Sequence, residues 1–153
     1  MAGSGALLEL SGDKQLAMAL ASMKESSAAR IMRPAIARGM TVARREAKAL
    51  VPRRTGALRR AISARTRVNR TRDGVTSMLY VRSGKDIVVN GKKHDPRKIA
   101  HLVEFGTRWA KPHPFLRAAL GNKAGEIRMT ITSRAKKELQ KAVQKARSKG
   151  RVL

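Results

Sequence analysis

The sequence predicts an α+β fold: a long amphipathic helix packed on a small antiparallel sheet with a β-hairpin, plus a C-terminal helix. Three observations carry this expectation. From Met32 the apolar residues fall at Ile36, Met40, Ala43, Ala47 and Leu50, and from Ile36 on they keep the four-three-four-three rhythm of one helical face over about four to five turns. From Ile62 the period changes to two, with Ile62, Ala64, Thr66 and Val68 on one face and Ser63, Arg65, Arg67 and Asn69 on the other. Asp73-Gly74 then marks a turn into a returning strand of Val75, Ser77, Leu79 and Val81, with Tyr80 opposite.

The remaining elements follow in order along a chain expected to form one domain, 1–153. Residues 1–12 are a small, Gly-rich arm in which Leu7-Leu8-Glu9-Leu10 reads as a short edge strand. Ser11 or Asp13 caps a helix through Met23, with Leu16, Leu20 and Met23 on one face. Ser26 and Ser27 are candidate caps for the long helix. Pro34 is placed near its start, where a missing N–H costs little, and Val51-Pro52 ends it. Thr55 is expected to cap a single turn leading to Leu58. Residues 83–98 read as a basic, exposed loop with Lys85, Lys92, Lys93, Arg97 and Lys98, inside which Ile87-Val88-Val89 and Asn90-Gly91 offer a short strand and turn.

The stretch His101–Arg117 holds the most geometry. An apolar run, Leu102, Val103 and Phe105, surrounds the single acid Glu104, and Gly106 is free to turn the chain with positive φ. Pro112 and Pro114 hold Lys111 and His113 extended, and Pro114 is placed as the first residue of a helix starting Phe115-Leu116. Gly121 and Gly125 break that helix from a last one carrying Ile127, Ile131, Leu139 and Val143. The core thus spans 13–120, and 121–153 forms a C-terminal helix with a basic tail.

Composition narrows the function. The 153 residues carry 35 Lys and Arg against 10 Asp and Glu, a formal +25. The surplus is uneven: residues 1–29 are net −1, whereas 44–72 hold eleven basic residues against Glu46 alone. A field of this size favours polyanions, DNA or strongly acidic proteins. Four aromatic residues leave a core built from Ala, Leu, Ile, Val and Met. No cysteine means no disulfide and no thiolate chemistry. No apolar run approaches a membrane span and the N-terminus lacks a signal pattern, so a soluble protein of a reducing compartment is the default.

Catalytic chemistry is not expected, and no cofactor is called for. His94, His101 and His113 with Glu104 match no standard metal spacing, so a metal-dependent hydrolase is the weakest alternative. No phosphate loop, nucleophile elbow or carboxylate pair is present. Glu104, an acid in an apolar run amid arginines, is expected to anchor the turn or to pair with an arginine. Trp109 is expected to pack or to anchor an interface rather than to stack on bases. Zinc-finger, RRM and KH signatures are absent, so any nucleic-acid contact is to the backbone.

Three marks resemble the tail-completion or head–tail joining proteins of long-tailed, lambda-like double-stranded DNA phages. They are Leu50-Val-Pro-Arg-Arg-Thr-Gly-Ala-Leu58, Val103-Glu-Phe-Gly-Thr107 and Pro114-Phe-Leu-Arg-Ala-Ala119, in that order with a hairpin-like stretch between the first two. The likeness covers about residues 30–120. It implies a non-enzymatic virion protein at the neck, made in the host cytoplasm and assembled as a homo-oligomeric ring, hexamer favoured over dodecamer, around the DNA channel. Neighbouring neck and tail proteins would be its partners, with no membrane. Glu104, Phe105, Gly106, Thr107, Trp109, Pro114 and Phe115 would then form a structural joint or subunit contact. Arg44, Arg45, Arg53, Arg54, Arg65, Arg67, Lys85, Lys92 and Lys93 would face DNA or acidic partners. The alternative is a free basic nucleic-acid-binding protein of chromosomal or ribosomal type.

Overall fold

A computed structural model of the chain describes residues 14–21, 23, 25–52, 56–69, 74–84, 87–89 and 91–148. In chain order these form α1 (Lys14–Ala21), α2 (Glu25–Leu50), α3 (Ala57–Ala61), β1 (Ile62–Asn69), β2 (Gly74–Val81), β3 (Ile87–Val89), β4 (Lys92–His94), α4 (Pro96–Phe105), α5 (Leu116–Asn122) and α6 (Ala124–Ser148). The mixed helix-and-sheet fold is the expected one, with α2 as its spine. The arm strand Leu7–Leu10, the Ser11 and Asp13 caps and the Thr55 cap lie outside the described residues.

α2 buries one stripe: Ile31, Ala35, Met40, Ala43 and Ala47, continued by Val51 just past its end. Helix α6 runs antiparallel along this spine, because Arg45 near the end of α2 reaches Glu126 near the start of α6 at 3.1 Å. Further along, Gly39 faces Ile131. A Cβ on Gly39 would overlap Ile131 Cγ1 and lie 2.8 Å from its Cδ1 and 3.2 Å from the Ile127 carbonyl oxygen. The glycine, flanked by Ala35 and Ala43 one turn away on either side, therefore lets the two helices approach closely, and Ile127, Ile131 and Ala135 of α6 become fully or almost fully buried.

Pro34 corrects the expected start of α2. It sits in the tenth position of a 26-residue helix, not at its first turn. The helix extends backwards because Ile31 supplies a buried residue one turn before Ala35. Packing of that residue outweighs the hydrogen bond that Pro34 cannot donate.

The hairpin pairs β1 with β2 in the register Ile62↔Val81, Ala64↔Leu79, Thr66↔Ser77 and Val68↔Val75. The residues expected on the inner face thus stand directly opposite one another. Burial grades along it: Ile62, Leu79 and Val81 are buried at the base, whereas Val68 near the tip is 44% exposed. Polar rungs hold the outer half, with Thr66 Oγ1 2.9 Å from Ser77 Oγ and Asn69 Nδ2 donating to Thr76 Oγ1 at 2.6 Å.

The described part of 83–98 holds more than a loop. β3 and β4 pair as a second, separate two-stranded sheet, turning at Gly91 with φ 73°. Arg97 and Lys98 belong to the first turn of α4, where Asp95 Oδ1 accepts the Arg97 N–H at 2.9 Å and Pro96 occupies the first helical position. α5 also starts later than expected: Phe115 is its N-cap residue, so Pro114 precedes the helix. Among the described residues, no helix is long and apolar enough to cross a membrane.

Candidate functional site

Glu104 organises the joint between α4 and α5. It is 4% exposed and is the one charged residue buried among those described. Its Oε2 accepts the backbone N–H groups of Phe115 at 2.9 Å and Leu116 at 3.0 Å. Its Oε1 accepts the Arg117 backbone N–H at 3.2 Å and Arg117 Nε at 3.3 Å. The first turn of a helix has N–H groups without intrahelical partners, and here a distant carboxylate takes the place of a local N-cap. Phe115 itself offers no capping side chain. Burial alone pushes the Glu104 carboxyl up, but the three backbone donors and the Arg117 guanidinium more than offset it, so it lies below the usual carboxylate value.

The chain between these groups is held at each step. Gly106 ends α4 with φ 77° and ψ −179°, a region open in practice only to glycine. A Cβ there would lie 2.8 Å from Pro112 N and 2.9 Å from the Ala110 carbonyl oxygen, both backbone atoms. Thr107 and Ala110 exchange backbone hydrogen bonds of 2.9 and 3.3 Å. Thr107 Oγ1 also accepts the N–H groups of Trp109 at 3.2 Å and Ala110 at 3.1 Å. The His113 N–H then donates to the Val103 carbonyl at 2.8 Å, satisfying one of the free C-terminal carbonyls of α4. Phe115, with no exposed surface, plugs the end of this strap into the core.

Aromatic and cationic groups cover the outside of the joint. The Arg117 guanidinium lies 4.9 Å from the centroid of Phe105, whose ring is 5.1 Å from that of His101. Trp109 is 87% exposed at the tip of the Thr107–Ala110 turn, with Arg108 5.2 Å from its centroid. Packing within the chain therefore does not explain this tryptophan. His101 meets the Phe105 ring at a 50° tilt, and among the described residues no cluster of His, Cys, Asp and Glu is suited to a metal ion.

Beside the joint, β2, α4 and α5 enclose an open groove of about 560 Å³. Leu79, Val81, Ala100 and Leu120 form its buried floor, and Arg65, Arg82, Arg97 and Arg117 stand around it, all exposed. Arg65 was among the sequence candidates for polyanion contact. Arg97 was expected only as part of the basic loop 83–98, and Arg82 and Arg117 were not expected, because only the fold brings four separate segments to one rim.

The other basic candidates do not gather in one place. Arg67 is exposed on the outer face of the hairpin, Lys93 is exposed on β4, and Arg44 is exposed on α2. Arg45 is engaged within the chain by Glu126, which Lys123 also approaches at 3.2 Å. Lys92 lies on β4, and Arg53, Arg54 and Lys85 lie outside the described residues. Sequence reasoning also missed Gly39, although its signal was present: Ala35, Gly39, Ala43 and Ala47 place a small residue at every fourth position of α2.

Compared with known families, residues 14–106 match the HK97-gp10-like family, described as "Bacteriophage HK97-gp10, putative tail-component". No curated protein and no solved structure matches the chain.

Proposed function

The chain belongs to the HK97-gp10-like family of bacteriophage tail components, and we propose that it joins head to tail as a homo-oligomeric neck ring around the DNA channel. The observation that carries this proposal is Trp109, held almost fully exposed on a turn locked by Gly106, Thr107 and the Glu104 cap. A large aromatic side chain on a rigid support is the usual anchor of a protein interface. An ordered joint also loses little conformational entropy on binding. Leu102 and Phe105 of α4 are also about half exposed and add apolar surface to the joint.

The work of such a ring is mechanical and electrostatic, with no catalytic step. Subunits pack through the joint. Arg44, Arg65, Arg67 and Lys93, exposed and scattered over three elements, face DNA phosphates or acidic neighbours without reading sequence. A hexamer is the favoured ring. Neighbouring neck and tail proteins complete the partner set.

Sedimentation of the purified chain tests the assembly step. The proposal expects a closed species of about six subunits, or one that forms on adding tail proteins, and a Trp109→Ala variant that stays monomeric. A chain that remains monomeric under both conditions while binding DNA tightly as a monomer would favour the free nucleic-acid-binding alternative.

A further inference from the structure

One sequence feature has no place in the joint: the arm segment Leu7-Leu8-Glu9-Leu10. Residues 1–13 are the longest stretch of the chain without Lys or Arg, and Glu9 and Asp13 make them net −2 within a protein of +25. Their strand-like pattern puts Leu8 and Leu10 on one side and Glu9 on the other.

The groove beside the joint has the matching features. Among the described residues β2 pairs only with β1, so its second edge is free. Met78 through Ser83, consecutive residues, all line the groove. Neighbouring side chains in a strand point to opposite faces, so a cavity touched by all of them follows the edge of the strand. A free edge with unpaired backbone groups is a template for an added strand. The floor is apolar and the rim is four arginines, while the one acid in the lining, Glu104, is already committed to α5.

We propose that Leu7–Leu10 of one copy adds to the free edge of β2 in a neighbouring copy, with Leu8 and Leu10 on the apolar floor and Glu9 towards the arginine rim. This rests on the reading that copies assemble. The chain as a whole is +25, whereas residues 1–13 are its longest stretch without Lys or Arg and carry net −2, the sign that matches the rim. The neighbouring copy supplies the arm because only three residues separate Leu10 from α1, a link spanning at most about 14 Å. α1 packs on α2 and α6, whereas β2, α4 and α5 wall the groove.

Crosslinking in the full chain tests this, since a protein without cysteine has no background thiols. Leu8→Cys is combined with Met78→Cys, treated with a short bis-maleimide and run on a denaturing gel beside sedimentation of the untreated protein. The expected result is a ladder of covalent dimers and higher species. Pairing Leu8→Cys with Met129→Cys, on α6 and 74% exposed, should give about tenfold less product, because docking raises the local concentration only at the groove. Adding Glu9→Lys to the first pair should also lower the ladder about tenfold. An oligomer by sedimentation without the Leu8–Met78 product overturns the arm exchange and leaves the ring standing. A product confined to single chains, or equal yields at Met78 and Met129, also overturns it. A chain that stays monomeric overturns both.

Discussion

The Glu104 carboxylate holds the backbone N–H of Phe115 at 2.9 Å, so the end of α4 supplies the cap that α5 lacks. Everything from Gly106 to Pro114 is thereby tied at both ends. The turn that carries Trp109 is part of this tie, which links the stability of the joint to the surface it presents.

Glu104→Ala should destabilise the protein by roughly 2–4 kcal/mol, since it leaves several buried or half-buried N–H groups without an acceptor. Glu104→Gln should recover part of this, as one oxygen remains. Chemical denaturation measures both.

The same carboxylate sets a pH dependence. Its native pKa is depressed, so its contribution to stability is complete above the usual value of 4.5 and is lost as pH falls below it through the native pKa. Unfolding midpoints should drop on that acid side more steeply for the native chain than for Glu104→Gln. Parallel curves would show that another group is responsible.

Gly106→Ala should cost roughly 2–4 kcal/mol, because the new Cβ meets two backbone atoms in a conformation already closed to other residues. Thermal unfolding checks this. A loss under about 0.5 kcal/mol, the range of ordinary surface substitutions, would mean that the turn relaxes freely.

Gly39→Ala improves helix propensity by about 1 kcal/mol yet should still destabilise, since overpacking costs about 1–3 kcal/mol. Ile131→Ala removes the two side-chain atoms that the new Cβ would meet most closely. The double variant should therefore lose less than the sum of the two single ones, a coupling read from a double-mutant cycle.

Much of this fold was legible in the sequence, for identifiable reasons. The stripe from Met40 to Ala47 and the alternation from Ile62 are local periodicities, and both elements form where the pattern places them. The start of α4 was hidden because Arg97 and Lys98 look like loop residues, although Asp95-Pro96 is a cap followed by a first-turn proline. Pro34 misled in the opposite direction, since helix interiors rarely hold proline. Glu104 stood out as a lone acid in an apolar run, but its partners lie 11 to 13 residues away across a turn. No spacing rule connects them. The arginine rim was out of reach for the same reason: Arg65, Arg82, Arg97 and Arg117 meet only after the hairpin, α4 and α5 have packed.

Replacing Arg67 and Lys93 with glutamine should weaken DNA binding by the assembled protein and lower the log–log salt slope by about 2, if each contacts a phosphate. The effect should be the same for any DNA sequence. Binding measured by fluorescence anisotropy between low and moderate salt checks this, and an unchanged slope would place both residues away from DNA.

The most direct test of head–tail joining is electron microscopy of particles assembled without the chain, with native or Trp109→Ala protein added back. The account predicts filled heads and separate tails in its absence, joined particles with the native protein, and separate parts again with the variant. Intact head–tail particles in the absence of the chain would contradict it.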